Sequence, residues 1–170
     1  LALIMGLWPV LTAIMITGRA GSAMAAEVGV MRITDQVEAL AVMDINPMSY
    51  LVSPRIVASI ISFPLLTAFF DVIGILGGYV TGVLMLGINH GVYFDRIQAS
   101  VTWGDVRGGF VKALVFGLLV AVISCYQGYF THMRRDAVGP EAVSNATTDA
   151  AVYSCVLTLI ADYVLTSFLL

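Results

Sequence analysis

Six charged side chains lie within residues 26–55, a stretch that separates two long apolar segments: Glu27, Arg32, Asp35, Glu38, Asp44 and Arg55. Such groups can pair, bind a partner or transfer protons, but catalysis and metal binding need them gathered in one place. Both histidines, His90 and His132, stand alone in predicted loops. No Ser/His/Asp or Cys/His grouping indicates nucleophilic chemistry. The sequence therefore predicts no catalytic residue and no metal site.

Two further carboxylates, Asp71 and Asp162, fall inside apolar segments. An ionisable group within a membrane is costly and marks a functional pathway or a polar contact with neighbouring helices. Either residue could line a polar cavity, carry a proton or hold a neighbouring helix, and the last interpretation is favoured. The glycines stand in an apolar segment without a following Lys-Ser/Thr pair, so no phosphate loop is predicted. This chain is therefore not expected to hydrolyse ATP.

The composition indicates a membrane protein. The 170 residues are 59% hydrophobic and 11% charged, with a mean hydropathy of +0.95, whereas soluble domains are about 25% charged. A net charge of −3 without a basic run gives no sign of nucleic-acid binding. Cys125 and Cys155 lie in apolar runs and are expected to pack as small residues. The opening "LALIMGLWPV" lacks Met and a charged leader, so we expect a fragment that begins inside a helix.

Four apolar segments are long enough, or nearly so, to span a bilayer as helices. They cover residues 1–17, 54–86, 110–130 and 150–170. Within lipid each backbone polar group needs a partner in its own segment, which favours helices. We therefore predict an all-α integral membrane protein, a polytopic helical bundle forming one domain. The connecting regions are residues 18–53, 87–109 and 131–149.

The positions of Arg and Lys predict the orientation of these segments. Residues 18–55 and 131–149 share one side and contain Arg19, Arg32, Arg55, Arg134 and Arg135. The opposite loop holds only Arg96 and Arg107, with Lys112 just beyond it. The charged stretch is therefore placed in the cytoplasm. Residues 87–109 contain Tyr93, Phe94 and Trp103, which predicts an interfacial helix on the outer face.

The second span has its own start and packing signals. Ser53 is the predicted N-cap, with Pro54 in the first helical position. A bend is expected at Pro64, because the segment exceeds the bilayer thickness. A small-residue face for close helix packing, within one subunit or across a dimer, is formed by Gly74, Gly78 and Gly82.

Between the first two spans, a short amphipathic helix is predicted over residues 34–43. Ile33, Val37, Leu40 and Met43 share one face, and Thr34, Asp35 and Glu38 lie opposite, with Thr34 as N-cap. Asn46-Pro47 is expected to end it. Either it floats on lipid headgroups or it docks into a groove of a soluble partner. Its acidic polar face slightly favours docking.

The same stretch, "GRAGSAMAAEVGVMRITDQVEALAVMDINPMSYLVSPR", resembles the MlaE/YrbE family of ABC-transporter permeases, which work with MCE-domain proteins. The similarity continues through "PLLTAFFDVIGILGGYVTG" and "NATTDAAVYSCVLTLIADYVLT" and covers essentially the whole chain. Asp35 stands where the family commonly carries Glu, and the family's upstream interfacial helix and first membrane helix are not in this sequence.

The resemblance implies a homodimeric, multi-pass permease in a bacterial, Gram-negative inner membrane. It would move glycerophospholipid and maintain outer-membrane lipid asymmetry. Expected partners are an ABC ATPase (MlaF-like) holding ATP and Mg²⁺, an MCE-domain lipid-binding subunit (MlaD-like) and a STAS-domain protein (MlaB-like), with no cofactor in this chain. ATPase coupling would fall to Arg32, Ile33, Thr34, Asp35, Gln36, Val37, Glu38, Leu40, Met43 and Asp44.

A lipid cavity at the dimer centre is also implied by the resemblance. Its expected lining is Leu7, Trp8, Leu11, Ile14, Leu76 and Tyr79, with Glu27 at its floor. Helical spacing alone does not distinguish such a lining from ordinary core or lipid-facing residues. Glu27 could instead pair with Arg19, two helical turns away. A rival hypothesis for the whole chain is a membrane anchor that positions the MCE subunit and has no lipid pathway of its own.

Overall fold

The computed structural model describes residues 2–133 and 139–169, with the side chains of residues 2–8, 100 and 169 outside that description. Leu7 and Trp8 of the expected lipid lining, and Arg134 and Arg135 of the charge bias, therefore lie outside the described side chains. Within these ranges seven α-helices follow in order: α1 Ala2–Ile16, α2 Ser22–Ile33, α3 Gln36–Val42, α4 Pro47–Tyr79, α5 His90–Ser100, α6 Trp103–Tyr129 and α7 Pro140–Leu169. The described residues contain no strand, so the all-α prediction is confirmed.

Short irregular helical turns connect or extend several of these helices. A π-helical turn, Thr17–Gly21, joins α1 to α2 in one continuous helical path, and a second, Val80–Met85, extends α4. A 3₁₀ turn, Thr131–Met133, follows α6. Such π turns interrupt the ordinary hydrogen-bond ladder of a helix and frequently stand at functional sites.

Three of the described helical stretches are long and apolar enough to cross a membrane: Pro47–Met85, Trp103–Tyr129 and Pro140–Phe168. They contain most of the second, third and fourth predicted spans, respectively. The first predicted span coincides with α1 and stays a prediction, because much of its side-chain detail lies outside the described residues. A helix, α5, lies within the predicted outer loop, and its position at the outer membrane interface stays a prediction.

The helices begin earlier than the apolar runs because capped polar turns precede them. Asn46 caps α4, its side chain accepting the N–H groups of Met48 and Ser49, with Pro47 in the first turn. The predicted start at Ser53 and Pro54 is therefore wrong, since both lie inside α4. For the same reason Asn46-Pro47 begins α4 and does not end α3.

The hydrophobic core is built around α6, which contacts α1, α2, α4 and α7. Val10 and Ala13 from α1 and Phe63 from α4 meet Phe116 and Val120 of α6, all at most 3% exposed. The surfaces of α4, α6 and α7 that face away from this core carry many exposed Leu, Ile, Val and Phe side chains. A bundle with an apolar exterior suits a lipid environment.

Glycines on α6 allow the closest helix approaches. A Cβ atom at Gly128 would lie 2.6 Å from the carbonyl oxygen of Ala25 in α2. A Cβ at Gly117 would lie 3.0 Å from Phe63 in α4. Neither position could take a larger residue without moving the partner helix. The small residues Ala113, Gly117 and Ala121 at intervals of four were a sequence signal for this packing.

Candidate functional site: the α3 segment and the adjacent groove

The short helix α3 is set between two aspartates with left-handed backbone. Asp35 precedes it and Asp44 follows it, each with φ of 59°, a conformation that Asp tolerates better than most residues. At the end of α3, the N–H of Asp44 bonds to Ala41 O and that of Ile45 to Leu40 O, each at 3.1 Å. This is the Schellman pattern, with Asp44 where glycine is usual. The chain therefore turns sharply into and out of α3.

Thr34 does not cap α3, so that prediction is wrong. Its hydroxyl donates to Val30 O at 2.8 Å, and its N–H bonds to the same carbonyl at 3.1 Å. Thr34 therefore closes the last turn of α2, and Asp35 takes the N-cap position of α3 without a side-chain cap bond. Asp35, with its left-handed backbone, separates α2 from α3. The periodicity of the sequence did not reveal this break between the two helices.

The predicted apolar face of α3 divides between the protein interior and its surface. Val37 is 1% exposed, and Ile33 and Leu40 are half-buried. Met43 at the other end of that face is 68% exposed. The remaining residues predicted to couple to the ATPase differ in their exposure. Arg32 is half-buried, and the others are exposed: Thr34, Asp35, Gln36, Glu38 and Asp44.

Exposed apolar side chains are concentrated between the last residue of α3 and the first turn of α4. We call them the α3 patch, which consists of Val42, Met43, Ile45, Met48 and Tyr50. Val42 is the most exposed of them, at 88%. Glu38 and Asp44 give the surroundings of this patch a negative charge. An apolar surface rimmed by polar groups is typical of a protein-binding site.

The helix leading into α3 is fixed to the turn after α6. Arg32 Nε donates to His132 Nδ1 at 3.0 Å, and the Arg32 guanidinium lies 5.2 Å from the centre of the Tyr129 ring. The description of His132 as an isolated loop residue is therefore wrong. This contact also shows that the 18–55 and 131–149 regions meet at one end of the bundle, in agreement with the charge pattern.

A second polar contact joins α2 to α4 at the same end. Arg55 Nη2 lies 3.1 Å from Glu27 Oε2, and Arg55 Nη1 also donates to Leu51 O at 2.9 Å. Glu27 thus pairs with Arg55 and not with Arg19, so the alternative pairing is wrong. The side chain of Glu27 is 65% exposed and that of Arg55 only 17%. The stem of Arg55 packs into the bundle while the carboxylate remains accessible.

An open groove of about 860 Å³ runs beside the π turn between α1 and α2. Most of its wall comes from the end of α1, the π turn and the start of α2; Leu66 of α4 and Thr147 of α7 close it. Among the described residues of this wall, Arg19 alone is charged. The lining is Met15, Ile16, Gly18, Arg19, Ala20, Ser22, Ala23, Ala26, Leu66 and Thr147. A mostly apolar groove with one guanidinium group could hold an acyl chain and an anionic head.

None of the residues expected to bind lipid is among the described residues that line this groove. Leu11 and Leu76 are exposed at 52% and 59%, Ile14 is half-buried against the core, and Glu27 lies in the ion pair with Arg55. Tyr79 instead joins an aromatic cluster with His90, Tyr93 and Phe94. Their lipid contacts stay a prediction. The groove begins one helical turn beyond Leu11, at Met15.

The glycine face of α4 receives a side chain of α5. A Cβ at Gly78 would lie 2.7 Å from the Tyr93 hydroxyl oxygen, and one at Gly82 would lie 3.6 Å from its ring. Tyr93 donates to Ile75 O at 2.8 Å. Gly74 is half-buried on the same helix. In the described chain Gly78 and Gly82 thus make room for the Tyr93 side chain of α5. Close packing of two membrane helices at this face stays a prediction.

Asp162 forms an ion pair inside the bundle. Lys112 Nζ on α6 lies 3.0 Å from Asp162 Oδ1 and 2.7 Å from Thr166 Oγ1, both on α7. The Lys112 side chain is 8% exposed and that of Asp162 is 21% exposed. The favoured interpretation of Asp162 as a polar tether matches this contact, while Asp71 is half-buried on α4. No group of three His, Cys, Asp or Glu side chains suited to a metal occurs in the described part of the chain.

Sequence comparison connects this geometry with known proteins. The family model described as "Permease MlaE" matches residues 1–168. A probable ABC transporter permease protein of Rickettsia typhi is 41% identical over 99% of this chain and 63% of its own length. The intermembrane phospholipid transport system permease protein MlaE of Haemophilus influenzae is 37% identical, with the same shares.

A plant protein is similar as well. The chloroplastic protein TRIGALACTOSYLDIACYLGLYCEROL 1 of Arabidopsis thaliana is 36% identical over 94% of this chain and 44% of its own length. The chain spans about 62–63% of the length of the Rickettsia relatives.

Proposed function

This chain belongs to the MlaE permease family, and on that premise we propose that it is the membrane part of an ABC-type transporter that moves glycerophospholipid. ATP would be hydrolysed by a separate cytoplasmic subunit, because this chain has no phosphate loop. The name of the Haemophilus relative refers to intermembrane phospholipid transport. The proposed setting is a bacterial inner membrane, with a second copy of this chain and an MCE-domain carrier as partners.

The α3 patch is the observation that carries the proposal. Val42 and Met43, 88% and 68% exposed, lie at the end of the bundle where α2 and the turn after α6 meet. Aliphatic side chains this accessible in a polar, acidic surrounding are best explained by burial against a protein partner. A lipid surface is less suitable, because anionic headgroups repel Glu38 and Asp44.

The attachments of α3 suit transmission of movement to the membrane helices. Upstream, Arg32 fixes the end of α2 to His132 and Tyr129. Downstream, two residues separate the left-handed Asp44 from the membrane-crossing helix α4. A push on α3 by the ATPase would therefore act on α2, α4 and the end of α6 together.

The open groove supports a lipid-transporting role over that of a mere anchor. It combines an apolar wall with Arg19, which can pair with a phosphate. A permease that only positioned a carrier would need no such slot. The groove opens beside Leu66 of α4, the helix that α3 leads into.

Replacement of Val42 and Met43 by Asp tests the docking role in the full-length protein co-expressed with its ATPase. We expect the double variant to insert normally and to lose the ATPase on purification, because two carboxylates would enter the apolar contact. Ser144→Asp is the matched control, since Ser144 is exposed at the start of α7. Undiminished co-purification and ATPase stimulation in the double variant would reject the docking role.

A second substitution separates transport from anchoring. Leu66→Trp fills the groove from its α4 wall, where Leu66 is 41% exposed. The transport role predicts lower phospholipid transfer with the carrier still bound, whereas the anchor role predicts unchanged transfer. Leu118→Trp is the matched control, because Leu118 is exposed on α6 and is not among the residues that line the groove.

A further inference from the structure

Among the described Ser and Thr side chains, two classes of hydroxyl group differ in whether they bond to their own helix. Members of the first class donate to the carbonyl four residues earlier in the chain: Thr17, Ser22, Thr34, Ser59, Thr67, Thr81, Thr131, Thr147 and Thr148. Ser124, Ser154 and Thr158 are each 0% exposed, and their hydroxyl groups have no protein partner among the described residues. Each of these three hydroxyl groups could also donate to the carbonyl four residues earlier in its helix. Because they do not, the lack of a partner for a buried hydroxyl group needs an explanation.

These three hydroxyl groups lie at adjoining levels of the bundle. Lys112 contacts Thr166 across the antiparallel pair α6 and α7. Ser124 is twelve residues after Lys112, and Ser154 is twelve residues before Thr166. The register of the two helices therefore brings Ser124 and Ser154 to the same depth, while Thr158 stands one turn from Ser154.

The same region borders the π turn between α1 and α2. A Cβ atom at Gly21 would lie only 3.1 Å from Ser124 Oγ, so this hydroxyl faces the π turn directly. The π turn also contacts α7. A π turn displaces the backbone carbonyls from their usual partners, which adds polar groups to this part of the interior.

On α7 the polar residues continue outward on successive turns. Ser154 and Thr158 are followed at intervals of four by Asp162 and Thr166, which bind Lys112. We call this series, together with Ser124, the polar column. It extends from the level of the π turn to the buried ion pair.

We propose that the polar column binds water inside the membrane-embedded bundle. A buried hydroxyl without a partner is costly, and one water molecule can donate to and accept from two or three of them. Water fits hydroxyl groups because each of them both donates and accepts. The bound water would connect α6, α7 and the π turn through hydrogen bonds that can exchange. The backbone between α1 and α2 could then change its conformation at the π turn without leaving a hydroxyl group unpaired.

The test uses the full-length protein in lipid nanodiscs, with its melting temperature followed by size-exclusion chromatography after heating. Ser154→Ala and Thr158→Val each remove one ligand of the water. We expect each to lower the melting temperature by about 2–4 °C. The double variant should lose less than the sum of the two, because both act on the same water. Thr67→Val is the matched control, since Thr67 is 6% exposed and bonds to Phe63 O.

Other outcomes overturn the proposal. A higher melting temperature in Ser154→Ala would mean that an unpaired hydroxyl had been removed from a dry interior. An unchanged value would mean that the hydroxyl bonds to its own helix. Stabilisation of the parent by sodium over choline chloride at equal ionic strength, lost in the variants, would assign a cation in place of water.

Radiolytic labelling gives a measurement that does not depend on stability. X-rays produce hydroxyl radicals from bound water, so a side chain beside such water is oxidised even when bulk solvent cannot reach it. Val120 is 0% exposed, and its Cγ1 and Ser124 Oγ lie 3.2 Å and 3.1 Å from the position that a Cβ at Gly21 would take. We expect Val120 to be labelled in the parent and less labelled in Ser154→Ala. Absence of labelling in the parent would contradict the proposal even if a variant failed to fold.

Discussion

The buried contact between Lys112 and Asp162 allows a quantitative prediction. The two charged atoms lie 3.0 Å apart, and their side chains are only 8% and 21% exposed. Lys112→Met would leave the Asp162 carboxylate without its cation inside the bundle. Removal of one partner from a buried pair costs about 3–5 kcal/mol. For a chain of this size each kcal/mol lowers the melting temperature by about 2–4 °C, so a fall of roughly 6–20 °C is expected.

Asp162→Asn should lower the melting temperature less than Lys112→Met does. Asn retains an oxygen that can accept from Lys112, and Thr166 Oγ1 stays within 2.7 Å of the ammonium group. The double variant Lys112→Met/Asp162→Leu removes both charges and should recover most of the loss, because no unpaired charge remains. In the double-mutant cycle with Lys112→Met and Asp162→Leu as the single variants, the double variant should therefore lose clearly less stability than the sum of the two single losses.

The melting temperature of the full-length protein in nanodiscs provides the assay. Lys112→Arg serves as the control, since it keeps the charge while changing the geometry. Additive effects of the two substitutions would refute the reasoning. So would a loss in Lys112→Met of no more than about 1–2 °C, which corresponds to about half a kcal/mol. Such a result would mean that the two groups are hydrated separately.

Further predictions follow from the packing and the caps. Gly128→Ala should prevent assembly or lower the melting temperature strongly, because its Cβ would lie 2.6 Å from Ala25 O, whereas Gly109→Ala, with no atom within 4 Å, should be neutral or stabilising by up to about 1 kcal/mol. Asp44→Gly should raise the melting temperature, since φ of 59° suits glycine better, and no increase would show that the Asp44 carboxylate compensates for the strain. Glu27→Gln should change the free energy of unfolding by less than about 1 kcal/mol, because this carboxylate is 65% exposed; a larger loss would show that the pair with Arg55 is shielded from water. Tyr93→Phe should loosen α5 by breaking the bond to Ile75 O, measured as faster amide exchange in residues 90–100.

The large features of the fold follow from hydropathy. Long apolar runs can satisfy their backbone within lipid only as helices, so the helical class and the later spans were predictable. The residues at which the helices begin could not be predicted from hydropathy, because an apolar run does not include the capped polar turn that precedes it. Asn46 and Thr102 supply those caps, the latter in a reciprocal bond with Asp105.

Details of the site depended on tertiary contacts that periodicity cannot supply. The choice of Arg55 over Arg19 as the partner of Glu27 depends on how α2 crosses α4. The contact of Arg32 with His132 joins residues 100 positions apart. The left-handed Asp35 was equally invisible, since Asp is common both there and as an ordinary cap.

ATP hydrolysis outside this chain is proposed to drive phospholipid movement through it by way of α3. ATP-dependent transfer of a labelled phospholipid between proteoliposomes holding the full complex and its soluble carrier measures this directly. The parent should transfer lipid only with hydrolysable ATP, and Val42→Asp/Met43→Asp should lose this ATP-driven transfer while remaining in the membrane. Equal ATP-driven transfer by parent and variant, or transfer by the parent without ATP, would contradict the proposal.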